Sequence, residues 1–517
     1  MIPITPIELE IFKNRINAIC EEMGVVLGRS AFSSNIKERK DYSCALFDFQ
    51  GEIIAQAAHI PVHLGSMPMS VKAAVRAFPF LAPGDAVILN DPYRGGTHLP
   101  DITLVSPVFL KGNRPAFFAA NRAHHADVGG KSPGSMALAT RLEDEGVVIP
   151  PTLFKKRGRK NEKFLKSFLA RVRVPEERLA DLSAQDSAND VGTERLIDLV
   201  KTLGFSSIAR AIRQYRAYEE KITRLALARI PKGNYFFQDF LEDDGISDRL
   251  IPIRVMLRVR KDKMEIDFSR SSPQVAGPVN ATQSITHSAV AYVFRCLVNA
   301  ATGEDCVSMR PFKILTQKGS VVDARPPAPV AGGNVETSQR IVDVLLGALS
   351  KALPKIIPAA SQGTMNNIAF GSDRFTYYET LAGGSGASTT QEGASAVHTH
   401  MTNTLNTPIE ALESSLPLRI RAYRIRPNSG GAGKNRGGNG LIREYEFLAE
   451  ARVSILSERR KQKPWGLQGG GPGQAGNNSL IRGNQKMILP GKCEVRVKQN
   501  DRIRIETPGG GGWGKSR

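Results

Sequence analysis

Residues 101–125 read DITLVSPVFLKGNRPAFFAANRAHH. Two apolar runs rich in β-branched and aromatic residues, DITLVSPVFL and PAFFAAN, flank Lys111-Gly112-Asn113-Arg114, which has the composition of a tight turn between strands. A four-residue loop pairs Leu110 with Pro115 and, counting outward, sets Asp101 directly opposite His124. Opposed side chains on one face hold their Cβ atoms about 4.5–5.5 Å apart, within reach of a common ion. A slip of one residue would present His125 instead.

Just upstream, in NDPYRGGTHLPD (90–101), His98 stands three residues before Asp101, so this region holds three of the chain's eight histidines. Imidazole and carboxylate form the ligand set of zinc, manganese and non-haem iron. A lone histidine beside a turn more often satisfies backbone groups, but two adjacent histidines facing an H-x-x-D across a hairpin point to a metal. Asp127 follows His124 closely enough to orient an imidazole from behind. Asp41, in KERKDYSCALFD, is a further candidate ligand, weighed against an ordinary surface ion pair with Arg39 or Lys40. Cys44 has no base beside it and reads as core.

Further out, short strand-like runs separated by Gly, Pro and Asn turns (YSCALFDF, GEIIAQAA, DAVILN) surround the hairpin. They are preceded by a helix whose start is marked by Thr5-Pro6-Ile7-Glu8, a capping box with proline at the first helical position. Leu9, Phe12, Ile16, Ile19, Cys20 and Met23 then share one helical face. Helical periodicity dominates residues 160–230, strands return at 251–259 and 264–268, and helices are predicted at 283–300 and 338–352. From residue 360 glycine becomes dense, as in LAGGSGAS, NSGGAGKNRGGNG and GLQGGGPGQAGNN, which predicts backbone packed against backbone or ligand. In VHTHMTN, His398 and His400 alternate as on a strand and would face one side. The expected class is α+β in three parts: a β-rich metal-bearing region (1–155), a helical section (156–235) and a mixed, Gly-rich C-terminal region (236–517).

The 517 residues, 41% hydrophobic and 23% charged, are those of a folded protein with more than one substructure. Five scattered cysteines form no C-x-x-C pair, which fits a reducing, cytoplasmic setting. The N-terminal residues lack the features of a secretory signal, and no run is long and apolar enough to predict a membrane span. The formal charge of +20 is spread over runs such as KKRGRK (155–160), RVRKDK (258–263) and ERRKQK (458–463). None is interleaved with aromatics, so solvated faces or a dock for an acidic partner are favoured over nucleic acid. Gly509–Ser516 (GGGGWGKS) fits the phosphate-loop pattern, but only Arg517 follows, leaving no helix to hold a phosphate.

These stretches together resemble the hydantoinase B family, which includes the B part of 5-oxoprolinase, N-methylhydantoinase and the related acetone and acetophenone carboxylases. The resemblance is carried by NDPYRGGTHLPDITLVSPVF, NRAHHADVGGKSPGSM, EGVVIPP, GPVNAT, GGNVETSQRIVD, SQGTMNN, YYETLAGGSGAS, VHTHMTNTLNTPIEALE, GGAGKNRGGNG and TPGGGGWG, in order from about residue 35 onward. It implies that His98, Asp101 and His124 bind one divalent ion (Zn, Mn or Fe), with Asp41 matching an acidic position at the site, and it leaves His125 or Asp127 to move protons. It also implies a hetero-oligomer, in which a hydantoinase A-like partner uses ATP to activate a small cyclic amide or carbonyl substrate that this chain then opens. Alternatives are a ketone carboxylase subunit, or a non-catalytic basic binding protein on the same fold. The chain departs from the family pattern in RVRVPEERLADL, where Arg171 and Ala180 replace an expected Asn and Gly, and in its basic charge.

Overall fold

The computed structural model describes residues 5–57 and 60–516. Helix α1 (Pro6–Ser30) begins at the expected capping box: Thr5 accepts from the Glu8 amide, and the Glu8 carboxylate accepts from the Thr5 amide. Its buried face carries Phe12, Ile16, Ile19, Cys20, Met23 and Leu27, whereas Leu9 is only partly covered. A one-turn helix, α2 (Ser34–Lys37), leads into the first sheet.

That sheet comprises β1 (Tyr42–Asp48), β2 (Ile53–Gln56), β3 (Ala86–Leu89), β4 (Asp101–Val108), β5 (Phe117–His124), β6 (Thr152–Lys156) and β7 (Arg159–Lys160), in the order β2-β1-β5-β4-β3-β6-β7, all antiparallel. Strands β1, β4 and β5 are buried along their whole length because both faces are covered. Cys44 and Leu46 point to α1, while the alternate residues Ala45 and Phe47 meet Met67, Val71 and Ala74 of α3 (Met67–Ala77). Four more helices follow: α4 (Leu142–Glu145), α5 (Glu162–Leu169), α6 (Pro175–Leu203) and α7 (Phe205–Ala228).

Helix α6 covers β4 and β5 with a polar stripe at one helical spacing, Asp181, Gln185 and Asn189. Gln185 donates to the Ile102 carbonyl (2.9 Å) and to Asn121 Oδ1 (2.8 Å). Asn189 donates to the Leu104 carbonyl and Ser106, and Asp181 accepts from the amides of Phe32 and Ser33. Buried amide side chains, fully partnered, therefore fix the helix in one register on the sheet.

A second sheet, β8 (Gly233–Leu241), β9 (Ile251–Arg260), β10 (Lys263–Asp267) and β11 (Phe312–Leu315), is ordered β11-β10-β9-β8. Alternate residues of β9, Ile251, Ile253, Val255, Leu257 and Val259, are buried in the core that includes α8 (Gln283–Thr302) and α9 (Ser338–Ala352). The C-terminal half adds β12 (Asn367–Gly371), β13 (Thr376–Glu379), β14 (Leu418–Ile425), β15 (Leu441–Phe447), β16 (Ala451–Leu456), β17 (Asn477–Arg482), β18 (Gln485–Leu489), β19 (Lys492–Val497) and β20 (Arg502–Glu506). They form two sheets, β13-β12-β16-β19 and β14-β15-β20-β17-β18. Helices and several sheets together make the class α+β.

Beside these sheets the glycine-rich segments pack backbone on backbone. Gly510 donates to Gly438 and accepts from Gly431; Gly511 donates to Ala360 and accepts from Ala387; Gly512 donates to Gly471 and accepts from Leu467. Successive residues thus bond in three different directions, the periodicity of a polyproline II helix, and this one stretch joins six neighbours. A Cβ at Gly510 would stand 1.9 Å from the Ser385 carbonyl oxygen, and one at Gly512 2.2 Å from that of Ala432. The GGGGWGKS stretch is accordingly a structural rod whose amides are spent on backbone carbonyls.

Two expectations need correction. The ERRKQK run is not a solvated face: Arg459 is buried against Asp239 and Asp343, both at 2.7 Å, and Arg460 bonds Asn366 and Asn478. VHTHMTN is not a strand: beyond one bridge at Val397 the chain turns, with His400 in the left-handed region at φ 60°. His400 faces Tyr292 of α8, while His398 is surrounded by Arg39, Asn406 and Glu379. No described helix is long and apolar enough to cross a membrane.

Candidate metal centre

Strands β4 and β5 pair in the expected register, with Asp101 opposite His124. Pairing stops at Val108 and Phe117, so the connecting loop is longer than the four residues expected, while the register is unchanged. His98 sits on the turn entering β4, tied down by a bond from the Asp101 amide to the His98 carbonyl (3.2 Å) and by Asn90 Nδ2 to the Leu99 carbonyl (2.8 Å). The preceding Gly95 takes φ 93° and lies where a Cβ would be 2.4 Å from the Met69 carbonyl carbon, so glycine lets this loop press against α3.

Three ligand-type atoms converge here. His98 Nε2 is 3.2 Å from His124 Nδ1 and 3.2 Å from Asp101 Oδ1, and His124 Nδ1 is 3.2 Å from the same oxygen. All three side chains are buried. Ligand atoms about 2.1 Å from one ion are separated by roughly 3.0–3.4 Å, so the spacing fits a shared divalent cation. The donor chemistry fits as well. Burial drives the His124 pKa down, keeping the ring neutral. Burial would raise Asp101, but His98, His63 and His124 outweigh it and hold the carboxyl well below the usual range. A neutral imidazole and an ionised carboxylate are the forms a cation requires.

The neighbours of this group are equally fixed. Asp101 Oδ2 accepts from Thr97 Oγ1 and lies 3.2 Å from His63 Nε2, whose Nδ1 is 2.8 Å from Ser43 Oγ. The His124 ring stacks on Tyr378 at 4.6 Å between centroids, and Tyr378 donates to Asn367 Oδ1. Asp41, just before β1, accepts from the His124 amide through its carbonyl (2.9 Å). Its carboxyl, raised by burial against the pull of His124 and Arg39, lines a cavity of about 20 Å³ shared with His63, Asp101, His124, Asn334 and Tyr378. Arg39 ties this corner to the C-terminal half by donating to the Tyr378 carbonyl (2.8 Å) and to Thr380 and Thr404.

Asp41, His98, Asp101 and His124 are therefore brought together, whereas His125 and Asp127 lie outside the group. His125 turns toward α6, with Nε2 2.9 Å from Gln185 Oε1. Asp127 accepts from the amides of Gly129, Gly134 and Arg173 and from Arg173 Nη1. Sequence reasoning missed His63, Asn334 and Tyr378. His63 had a local signal, since Ser43 shares the face of β1 next to Asp41, but Asn334 and Tyr378 arrive from segments more than two hundred residues away.

The hydantoinase B/oxoprolinase family model matches residues 5–516. The chain is 39% identical over 515 residues to an uncharacterized protein of Methanocaldococcus jannaschii, covering 98% of this chain and 90% of that one. It is 38% identical over 539 residues to 5-oxoprolinase 1 of Arabidopsis thaliana, covering 99% of this chain but 42% of the plant protein. A B-type D-/L-hydantoinase component from a Pseudomonas species is 30% identical, with 99% of this chain and 90% of that one covered. Among solved structures, the ATP-dependent caprolactamase from Pseudomonas jessenii matches with a TM-score of 0.90 at 26% identity, over 99% of this chain and 91% of that one. Acetone carboxylase shares the fold, with a TM-score of 0.88 at 17% identity, over 98% of this chain and 76% of that one. With the family model matched along almost its whole length, this chain belongs to the hydantoinase B/oxoprolinase family.

Proposed function

We propose that this chain is the metal-bearing B-type part of an ATP-dependent enzyme that opens small cyclic amides of the oxoproline or hydantoin kind. The observation that carries the reading is the convergence of His98 Nε2, His124 Nδ1 and Asp101 Oδ1 at 3.2 Å on a buried pocket, with Asp41 beside them as a fourth ligand or an anionic neighbour. A divalent ion bound there (Zn, Mn or Fe) supplies Lewis acidity to a carbonyl or water oxygen.

The chain's own residues do the rest. Thr97 and His63 hold Asp101 Oδ2, so Oδ1 is presented in one orientation, and Tyr378 fixes the plane of His124. Of the two candidate proton carriers, His125 has the freer lone pair. Gln185 Nε2 is engaged as a donor, so its Oε1 accepts from His125 Nε2–H, leaving Nδ1 to take a proton. Asp127 already accepts four hydrogen bonds and serves better as the clamp of its loop.

An amide is too poor an electrophile to open readily without activation, and a hydantoinase A-like partner would supply ATP-dependent activation. The relatives support this division. The Pseudomonas protein is named as one component of a hydantoinase and is spanned almost entirely, whereas the plant 5-oxoprolinase is more than twice as long as the part this chain covers.

The test is reconstitution. Purified chain, partner, Mg-ATP and 5-oxoproline or a hydantoin should give ring-opened product, and either protein alone should not. His98→Ala and His124→Ala should lose stoichiometric metal and lower turnover by about three orders of magnitude or more, while His125→Ala keeps the ion. Full turnover by the lone chain without ATP, or full metal content in His124→Ala, would overturn the reading.

A further inference from the structure

A five-residue π-turn, Gly333–Thr337, opens α9 within GGNVETSQ. Such turns widen a helix and re-aim the side chains they carry. Here the widening puts Asn334 on the wall of the cavity shared by Asp41, Asp101 and His124. Its backbone is anchored: the amide donates to the Val330 carbonyl, and Ser338 Oγ donates to the Asn334 carbonyl (2.6 Å). Its side chain is not. Asn334 is 4% exposed, and its carboxamide oxygen has no hydrogen-bond partner among the described residues. A buried amide oxygen without a partner is costly, so a site that retains one is arranged for a group that comes and goes.

The shape of the carboxamide says which group. Asn offers one acceptor and two donor hydrogens on adjacent atoms of a plane. An ordinary peptide amide is trans, with its N–H and C=O on opposite edges, whereas a small ring forces the amide cis and brings both onto one edge. Resting on the function proposed above, we propose that Asn334 is a specificity-determining residue that reads the cis edge of a cyclic secondary amide. Its oxygen accepts from the ring N–H and its nitrogen donates to the ring carbonyl, holding that carbonyl beside the His98-Asp101-His124 group. A cyclic ketone satisfies only half of this pattern and leaves the Asn334 oxygen buried and unpaired, the situation in which a hydrogen-bonding site discriminates most strongly.

The cavity as it stands, about 20 Å³, has room for a water-sized group, so a ring must displace part of the wall. The same wall contains Met365 and Met401, both buried, whose unbranched side chains are the ones that re-pack at least cost. Stacking on the other side is supplied by Tyr378, held by Asn367, which also donates to Glu336 of the same π-turn (2.7 Å).

Calorimetric titration of the full chain loaded with its divalent metal, using 2-pyrrolidinone and cyclopentanone as probes, tests the proposal. Wild type should bind the lactam at least about tenfold more tightly than the ketone. Asn334→Leu, close in volume, should erase that preference while keeping metal content and a Tm equal to or above wild type, because no folded-state hydrogen bond of the side chain is lost. In the reconstituted reaction the same change should raise KM for the cyclic amide. An unchanged lactam preference in Asn334→Leu overturns the assignment alone. Absence of lactam binding by the metal-loaded wild type overturns the functional reading with it.

Discussion

Glu145 shows how single buried carboxyls shape this molecule. Its Oε1 accepts from the amides of Val330 and Ala331, bringing the chain just before the π-turn onto the loop that follows the metal hairpin. Burial raises its pKa to about 8 in spite of those two bonds. The folded state therefore binds a proton that the unfolded chain releases above its ordinary value near 4.5. Stability from this group is complete below about pH 4.5 and is lost progressively as pH rises to about 8, a loss on the order of 4 kcal/mol. Glu145→Gln keeps an acceptor oxygen and removes the titration, so its denaturation midpoint should fall less than that of wild type between pH 5 and pH 9. Parallel curves for the two proteins would show that Glu145 carries no such proton. At this scale the sequence was legible only where partners were close along the chain. Asp101 and His124 could be matched by counting outward from Gly112-Asn113, but nothing in GGNVETSQ announces that residue 334 will meet residue 101.

Among the elements, α6 has the most to explain. Its buried face is polar, so its place on β4 and β5 rests on matched hydrogen bonds rather than on an apolar stripe. Gln185→Leu would leave His125 Nε2, the Ile102 carbonyl and Asn121 Oδ1 without partners. A loss of roughly 3–5 kcal/mol is expected, read as a lower urea midpoint. Metal content should stay near wild type if β4 and β5 keep their register, which elemental analysis of the folded fraction checks. Elements with a local signature were readable in advance: α1 from its capping box, α8 and α9 from their periodicity, the hairpin from its turn. The strand expected around His398 failed because its alternation, V-H-T-H, belongs to a turn held by Arg39, Glu379 and Tyr292, whose influence is tertiary. The polar face of α6 gave no apolar period, so its docking partner could not be read from pattern alone.

For the whole molecule, the glycine rods decide whether the C-terminal half assembles. Gly510→Ala would push a methyl group against the Ser385 carbonyl, which is backbone and cannot rotate away. A cost above about 4 kcal/mol is expected, seen as insoluble protein or a steeply lowered Tm, whereas Gly483→Ala in an open turn, with nothing within 4 Å, should cost only what its φ of 56° imposes. Deleting residues 509–517 should likewise prevent folding rather than remove a nucleotide site, which proteolysis of the truncated chain would reveal. Glycine density gave notice of close backbone packing, but not that one stretch would be its hub. That hub has a temporal consequence. Residues 510–512 bond to segments at 360, 387, 431, 438, 467 and 471, all of which precede them along the chain. On the ribosome those six segments emerge first and must wait, with their carbonyls and amides hydrated, until the seventh is translated. Assembly of this half is therefore gated by synthesis itself, and a nascent chain stalled before residue 510 is a substrate for chaperones and proteases rather than a shorter enzyme.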